Sequence, residues 1–159
     1  MKNIVILLSG RGSNFEAILR TARAENWEAE GLRIAAVFSN RPDAKGLATA
    51  RAEGLDAFAV DHKAFATREA FDEELARRIE PYEPAVIVLA GFMRILTPGF
   101  VSRWEGRILN IHPALLPLSP GLTPTAAAWK RAAAFMVRPC TSFPPFLTGA
   151  PSSASPWCR

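Results

Sequence analysis

Apolar positions along the chain follow two rhythms that alternate with each other. Asn3 to Leu8 and Ala85 to Ala90 carry unbroken apolar runs, the pattern of strands buried on both faces of a sheet. Leu32 to Phe38 and the shorter Ala57 to Val60 read as two further strands, and a fifth leads into Asn110. Between these runs the spacing becomes helical. Phe15 to Leu19 continues a helix after a glycine loop, Lys45 to Glu53 forms another that stops at Gly54, and Thr97 to Arg103 forms a short one. The segment Thr67 to Ile79 is the clearest helix: Phe71, Leu75 and Ile79 share one face, Glu69 and Asp72 lie early, and Arg77 and Arg78 lie late, so its charges agree with the helix dipole. Strands and helices in strict alternation predict an α/β fold, a Rossmann-like open parallel sheet with helices on both faces and right-handed crossovers.

Three loops at strand ends carry the candidate chemistry. The first is Ser9-Gly10-Arg11-Gly12-Ser13-Asn14. Strand, glycine loop and helix N-terminus together suit an anion, because free N–H groups and the positive end of the dipole converge there; a tight turn with no ligand would also use the glycines. The loop lacks the third glycine of a dinucleotide fingerprint, the next strand ends in Ser39-Asn40 without a ribose-binding acid, and no Gly-Lys-Ser/Thr is present. NAD and nucleoside triphosphates are therefore disfavoured, and a small phosphorylated substrate fits best. The second loop, Gly91-Phe92-Met93-Arg94-Ile95-Leu96, leaves a carboxyl strand end, where open α/β sheets place ligands. It could wall a flat aromatic cofactor or simply pack in the core. The third is Gly106 to Pro117, in which Asn110 and His112 stand two residues apart and would share a strand face. An amide can donate to an oxygen that becomes negative, and an imidazole can carry a proton; a hydrogen-bonded structural His is the alternative.

Composition narrows the class. With 159 residues the chain fits one domain with a real core. The apolar start is too short to span a bilayer and reads as no secretory leader, and Cys140 and Cys158 show neither metal-ligand spacing nor a disulfide framework, so a cytoplasmic setting with no metal and no membrane partner is expected. The pI of 9.6 would invite nucleic acid, but all 15 acidic residues lie at or before Glu105, where they face 14 Lys and Arg; five more basic residues follow. The basicity belongs to the tail, which makes a nucleic-acid surface an unneeded reading. That tail also holds nine of the 13 prolines, from Pro113 onward.

Taken together, Ser-Gly-Arg-Gly-Ser-Asn at 9–14, Val-Phe-Ser-Asn at 37–40, Leu-Ala-Gly-Phe-Met-Arg-Ile-Leu at 89–96 and Leu-Asn-Ile-His-Pro-Ala-Leu-Leu-Pro at 109–117 closely resemble the phosphoribosylglycinamide formyltransferase family. The resemblance runs from Lys2 to about Leu122. It implies a formyltransferase fold and transfer of a formyl group from 10-formyltetrahydrofolate, as cosubstrate, to 5-phosphoribosylglycinamide in purine synthesis. By position, Gly12, Ser13 and Asn14 would hold the substrate phosphate, Arg68, Met93, Arg94, Ile95, Leu96 and Asn110 the folate, and Asn110 and His112 would be the catalytic pair. The family uses a later Asp to raise the His pKa, and no Asp follows Glu105 here. Methionyl-tRNA formyltransferase differs in carrying Arg-Gly after Leu-Leu-Pro where this chain has Ser119-Pro120-Gly121, and the folate-deformylating hydrolase has an added domain ahead of the first strand.

After Leu122 the family pattern stops, and a shifted reading frame restores it. Taking each codon from its third base, Trp129-Lys130 must give Glu, Met136-Val137 must give Gly and Trp157-Cys158 must give Val. The family's His-Thr-His, His-Gly, His-Phe-Val and Asp-Gly-Gly segments can be recovered in order around these forced residues. The expected division is a formyltransferase nucleotide-binding domain over 1–122 and an aberrant Pro/Ser-rich tail over 123–159, produced by a one-base deletion near codon 122. A catalytically dead product, and a standalone phosphate-binding module, are the readings from other classes. The tail is expected to contain no regular strand, except that Ala126 to Phe135 has helix propensity, and to leave an apolar sheet edge uncovered.

Overall fold

The computed structural model describes residues 1–111 and the backbone of Val137–Pro139. The elements run β1 (Lys2–Leu8), α1 (Ser13–Ala24), β2 (Leu32–Ser39), α2 (Lys45–Ala52), β3 (Asp56–Ala59), α3 (Arg68–Ile79), β4 (Pro84–Leu89), α4 (Pro98–Arg103), β5 (Ile108–Ile111) and β6 (Val137–Pro139), with single 3₁₀ turns at His62–Ala64 and Glu80–Tyr82. The sheet order is β3-β2-β1-β4-β5-β6. The first five strands are mutually parallel, so the expected Rossmann-like architecture is the one observed. The order reverses direction at β1, between β2 and β4, which is where an open α/β sheet leaves a crevice at its carboxyl edge.

Period-two alternation along β1 divides the core. Val5 and Leu7 join Phe38, Phe71, Leu75, Ile79, Ile87 and Leu89 on the α3 side, while Ile4, Ile6 and Leu8 join Phe15, Val37, Leu47 and Ala50 on the α1 and α2 side. Both faces of β1 are thus covered, which is why its sequence shows no polar alternation. Truncating one such fully buried Leu or Ile to Ala costs about 2–5 kcal/mol. Helix α3 starts as its sequence suggests, with the Thr67 hydroxyl accepting from the Ala70 N–H at 3.1 Å. Its last turn carries a surface cluster in which Arg77 and Arg78 both donate to Glu74 and hold that carboxyl down at about 2.

Two expectations are corrected. Asp72, read as one of the early acids of α3 that complement its dipole, is instead 3% exposed. Its Oδ2 accepts from the Thr97 N–H at 2.6 Å, tying α3 to the chain after β4. Burial pushes its carboxyl pKa up, against the opposing pull of the Thr97 hydrogen bonds and of Arg94 and Arg68. The second correction concerns the tail. Val137–Pro139 is a strand, antiparallel to β5, with Leu109 opposite Pro139, Asn110 opposite Arg138 and Ile111 opposite Val137. The edge of β5 is therefore covered over these positions. A free strand edge offers backbone donors and acceptors to any extended segment whatever its side chains, and Pro139, without an N–H, closes the run. The helix expected over 126–135 lies outside the described residues.

Candidate active site

A cavity of about 510 Å³ opens at the carboxyl edge of the sheet, where the loops after β1, β2, β3 and β4 meet. From β1 come Ser9 through Asn14; from β2, Asn40 and Arg41; from the turn after β3, His62; from the end of β4, Ala90, Gly91 and Met93. Among the described residues its ionisable lining groups are Arg11, Arg41 and His62, with no Asp or Glu. The interior potential favours an anion.

The glycine loop has two distinct halves. Gly12 is the N-cap of α1, at φ 86°, a left-handed conformation that an L side chain resists. A Cβ on it would stand 2.8 Å from the Gly46 Cα, and one on Gly46 would stand 2.7 Å from Leu8 Cδ2. The loop lies directly on the start of α2, with the Gly46 N–H donating to the Gly10 carbonyl at 3.1 Å. Gly12 is thus required by the backbone itself. Gly10 is not: nothing lies within 4 Å of the position its Cβ would take. The first helical bond of α1 runs from the Glu16 N–H to the Gly12 carbonyl, and Gly12, as N-cap, has no side chain with which to cap the helix. The N–H groups of Ser13 and Asn14 consequently face outward without an intrahelical acceptor.

A hydrogen-bond chain, buried at its Ser9–Asn40 link, braces the cavity. The Met93 N–H donates to Ser9 Oγ at 2.7 Å, Ser9 Oγ donates to Asn40 Oδ1 at 2.5 Å, and His62 Nδ1 lies 2.7 Å from the Asn40 carbonyl. Ser9 and Asn40 are each 4% exposed, so each partner they lose leaves an unsatisfied buried group. The chain joins four strand ends in one structure. Arg41 is held by Asp43 through contacts of 3.1 and 2.6 Å, which lowers the Asp43 pKa.

Of the residues singled out from the sequence, Gly12, Ser13, Asn14 and Met93 line this cavity; Arg68, Arg94, Ile95, Leu96 and Asn110 do not. Asn110 sits in β5 opposite Leu89, immediately beside the chain that turns into Ala90 and Gly91. Arg68 is exposed at the first turn of α3. The Arg94 guanidinium lies over the Phe71 ring at 4.6 Å with its buried Nε lacking a partner among the described residues, Leu96 packs against the core, and Met93 and Ile95 are 60% and 50% exposed. His112 lies outside the described residues. Ser9 and Asn40 fall in the quoted motifs but were given no role of their own, and Arg41 and His62 were not singled out. Their shared signal is position, since Ser9, Asn40, Arg41 and His62 all fall within the first residues after a strand.

The formyl transferase family profile matches residues 2–135. The chain belongs to the formyl transferase family. Phosphoribosylglycinamide formyltransferase of Escherichia coli is 51% identical over 120 residues, which make up 76% of this chain and 55% of that enzyme. The Bacillus subtilis phosphoribosylglycinamide formyltransferase is 35% identical over 130 residues, 82% of this chain and 65% of that one. This formyl transferase chain therefore spans between half and two thirds of the length of these curated relatives. The crystal structure of the Brucella melitensis phosphoribosylglycinamide formyltransferase superposes with a TM-score of 0.71 at 43% identity, covering 82% of this chain and 65% of that one.

Among the described residues, no helix is long and apolar enough to cross a membrane.

Proposed function

We propose that this chain binds 5-phosphoribosylglycinamide by its phosphate and acts in formyl transfer from 10-formyltetrahydrofolate to the substrate amine, the step of purine synthesis named for its relatives. The observation that carries the reading is the glycine-capped start of α1 opening on a cavity whose ionisable lining, among the described residues, is Arg11, Arg41 and His62. Backbone donors of Ser13 and Asn14 would take two phosphate oxygens, and Gly12 would keep the loop close enough for both to reach one group.

The chain after β4 suits a flat, partly aromatic guest. Two exposed apolar side chains, Met93 and Ile95, stand on it, and Arg94 keeps a buried donor that no described residue pairs. Met93, Arg94, Ile95 and Leu96, with Arg68 at the start of α3, would hold the folate; when bound, the folate supplies the formyl carbon. Asn110 would donate from its amide to the formyl oxygen as negative charge develops there. His112, assigned by family resemblance, would hold a proton near the same oxygen and pass protons between the amine and the departing nitrogen.

Activity of this chain is expected to be low, because no Asp or Glu follows Glu105 to favour the charged form of His112. Losing such an acid–base arrangement costs on the order of 10²–10⁴ in rate. The test is a calorimetric titration of 5-phosphoribosylglycinamide into the wild-type chain and a Gly10→Asp variant. Gly10 has room for a side chain, so the variant keeps the fold while placing a carboxylate against the phosphate. Binding by the wild type and its loss in the variant are expected. Equal binding by both would overturn the assignment.

A further inference from the structure

We infer that His62 is a phosphate ligand of this site, hydrogen-bonding through Nε2, and that the chain takes up a proton as the phosphate binds. This rests on the reading of the cavity as a phosphate site, but it is carried by different residues. His62 lies on the turn His62–Ala64 and lines the same cavity as Gly10, Ser13 and Asn14. Its Nδ1 is engaged at 2.7 Å by the Asn40 carbonyl. A carbonyl oxygen only accepts, so Nδ1 carries a hydrogen. The Asn40 side-chain nitrogen stands farther from the same atom, at 3.4 Å, and the shorter contact fixes the ring. Nε2 is then the one ring nitrogen left for a guest.

The support behind the ring is what makes it a built ligand and not a surface residue. Asn40 holds His62 with its backbone carbonyl, which also accepts from the His62 N–H at 3.3 Å. Asn40 is in turn fixed by Ser9 through its side chain. Such second-layer bonds set both tautomer and orientation, as they do for ligating imidazoles generally. With Nδ1 protonated, a neutral ring offers only a lone pair at Nε2, whereas a phosphate dianion offers only acceptors. Binding therefore needs one more proton between them. It resides either on Nε2 of an imidazolium or on a phosphate oxygen that donates to Nε2, and both arrangements contain the same number of protons. Charged groups around the ring bear on this step from each neighbouring loop: Asp61 Oδ1 is 3.8 Å from Nδ1, Lys63 follows on the same turn, and Arg11 and Arg41 line the cavity from the loops after β1 and β2. Arg41 is already paired with Asp43, and neither Arg can shuttle a proton. His62 is left as the group that can.

The experiment is a calorimetric titration of 5-phosphoribosylglycinamide, with inorganic phosphate as a second probe, into the full chain near pH 7.5. Buffers of different ionisation enthalpy are used so that proton uptake is counted directly. Wild type is compared with His62→Ala, His62→Gln and Gly10→Asp, and circular dichroism checks that each is folded. Expected results are uptake of up to one proton by the wild type, affinity weakened about tenfold in His62→Ala, and affinity largely restored in His62→Gln with the uptake gone. The Gln amide donates from nearly the same place without titrating. Unchanged affinity or persisting uptake in both His62 variants, while Gly10→Asp abolishes binding, would overturn the role of His62 and leave the phosphate site standing. Absence of binding by the wild type would overturn both.

Discussion

Replacing Gly12 by Ala should destabilise the fold, whereas the same change at Gly10, two residues earlier, should not. At Gly12 two separate penalties act. The backbone is at φ 86°, where a Cβ costs about 1–2 kcal/mol. The added carbon would also meet the Gly46 Cα at 2.8 Å, backbone against backbone, so either α2 or the loop has to move, at about 1–3 kcal/mol. Their sum, about 2–5 kcal/mol, is a large share of the ~5–15 kcal/mol that holds a domain together. Gly10 has neither penalty, and losing a glycine from the unfolded chain can even stabilise by about 0.4–1 kcal/mol. Urea unfolding followed by tryptophan fluorescence reads both. With an m-value near ~2 kcal/mol/M, the Gly12→Ala midpoint should fall by roughly 1–2.5 M while that of Gly10→Ala stays within about 0.5 M of the wild type. Equal midpoints for the two variants would show that the loop does not rest on α2 as described. It follows that Gly12 substitutions test folding, and that the ligand is better probed at Gly10.

Other outcomes follow from the same structure. Tyr82 is the single tyrosine, and burial together with its hydrogen bond to Asp56 pushes its pKa up to about 12. Absorbance at 295 nm should therefore show no phenolate near pH 10, and the stability this group contributes should be complete below pH ~10 and lost as pH rises toward 12; a midpoint near 10 in the folded chain would contradict it. Ser9→Ala strands the Met93 N–H and buried Asn40 Oδ1, so a loss of about 1–3 kcal/mol in urea unfolding is expected, together with faster amide exchange at Met93. Resequencing the DNA should reveal a missing base near codon 122; an intact frame there, or unrelated residues in the shifted one, would refute that origin for the tail. Restoring the base should raise folate-dependent formylation of 5-phosphoribosylglycinamide well above that of the chain as written, and comparable rates would remove the carboxylate argument around His112.

The sequence alone determined the five parallel strands and the helices between them, because a strand covered on both faces must be apolar at every position, as Ile4 to Leu8 is, and a helix covered on one face must repeat with its turn, as Phe71, Leu75 and Ile79 do. It also marked the strand ends as the place for chemistry. Burial of a particular polar residue was not legible in that way. Asp72 looks like any early helical acid, and only the return of the chain after β4 brings Thr97 onto it. Nor did local pattern distinguish Gly12 from Gly10, since the difference lies in the approach of Gly46 from another element. His62 had no signal of its own: its partner Asn40 is 22 positions away, and Met93 is 84 positions from Ser9. Those distances close only when the crossovers stack β2, β1 and β4 side by side and bring their carboxyl ends to one edge. Periodicity records which face of an element meets the core, whereas a site made from the ends of several elements exists only once the order of the strands is settled.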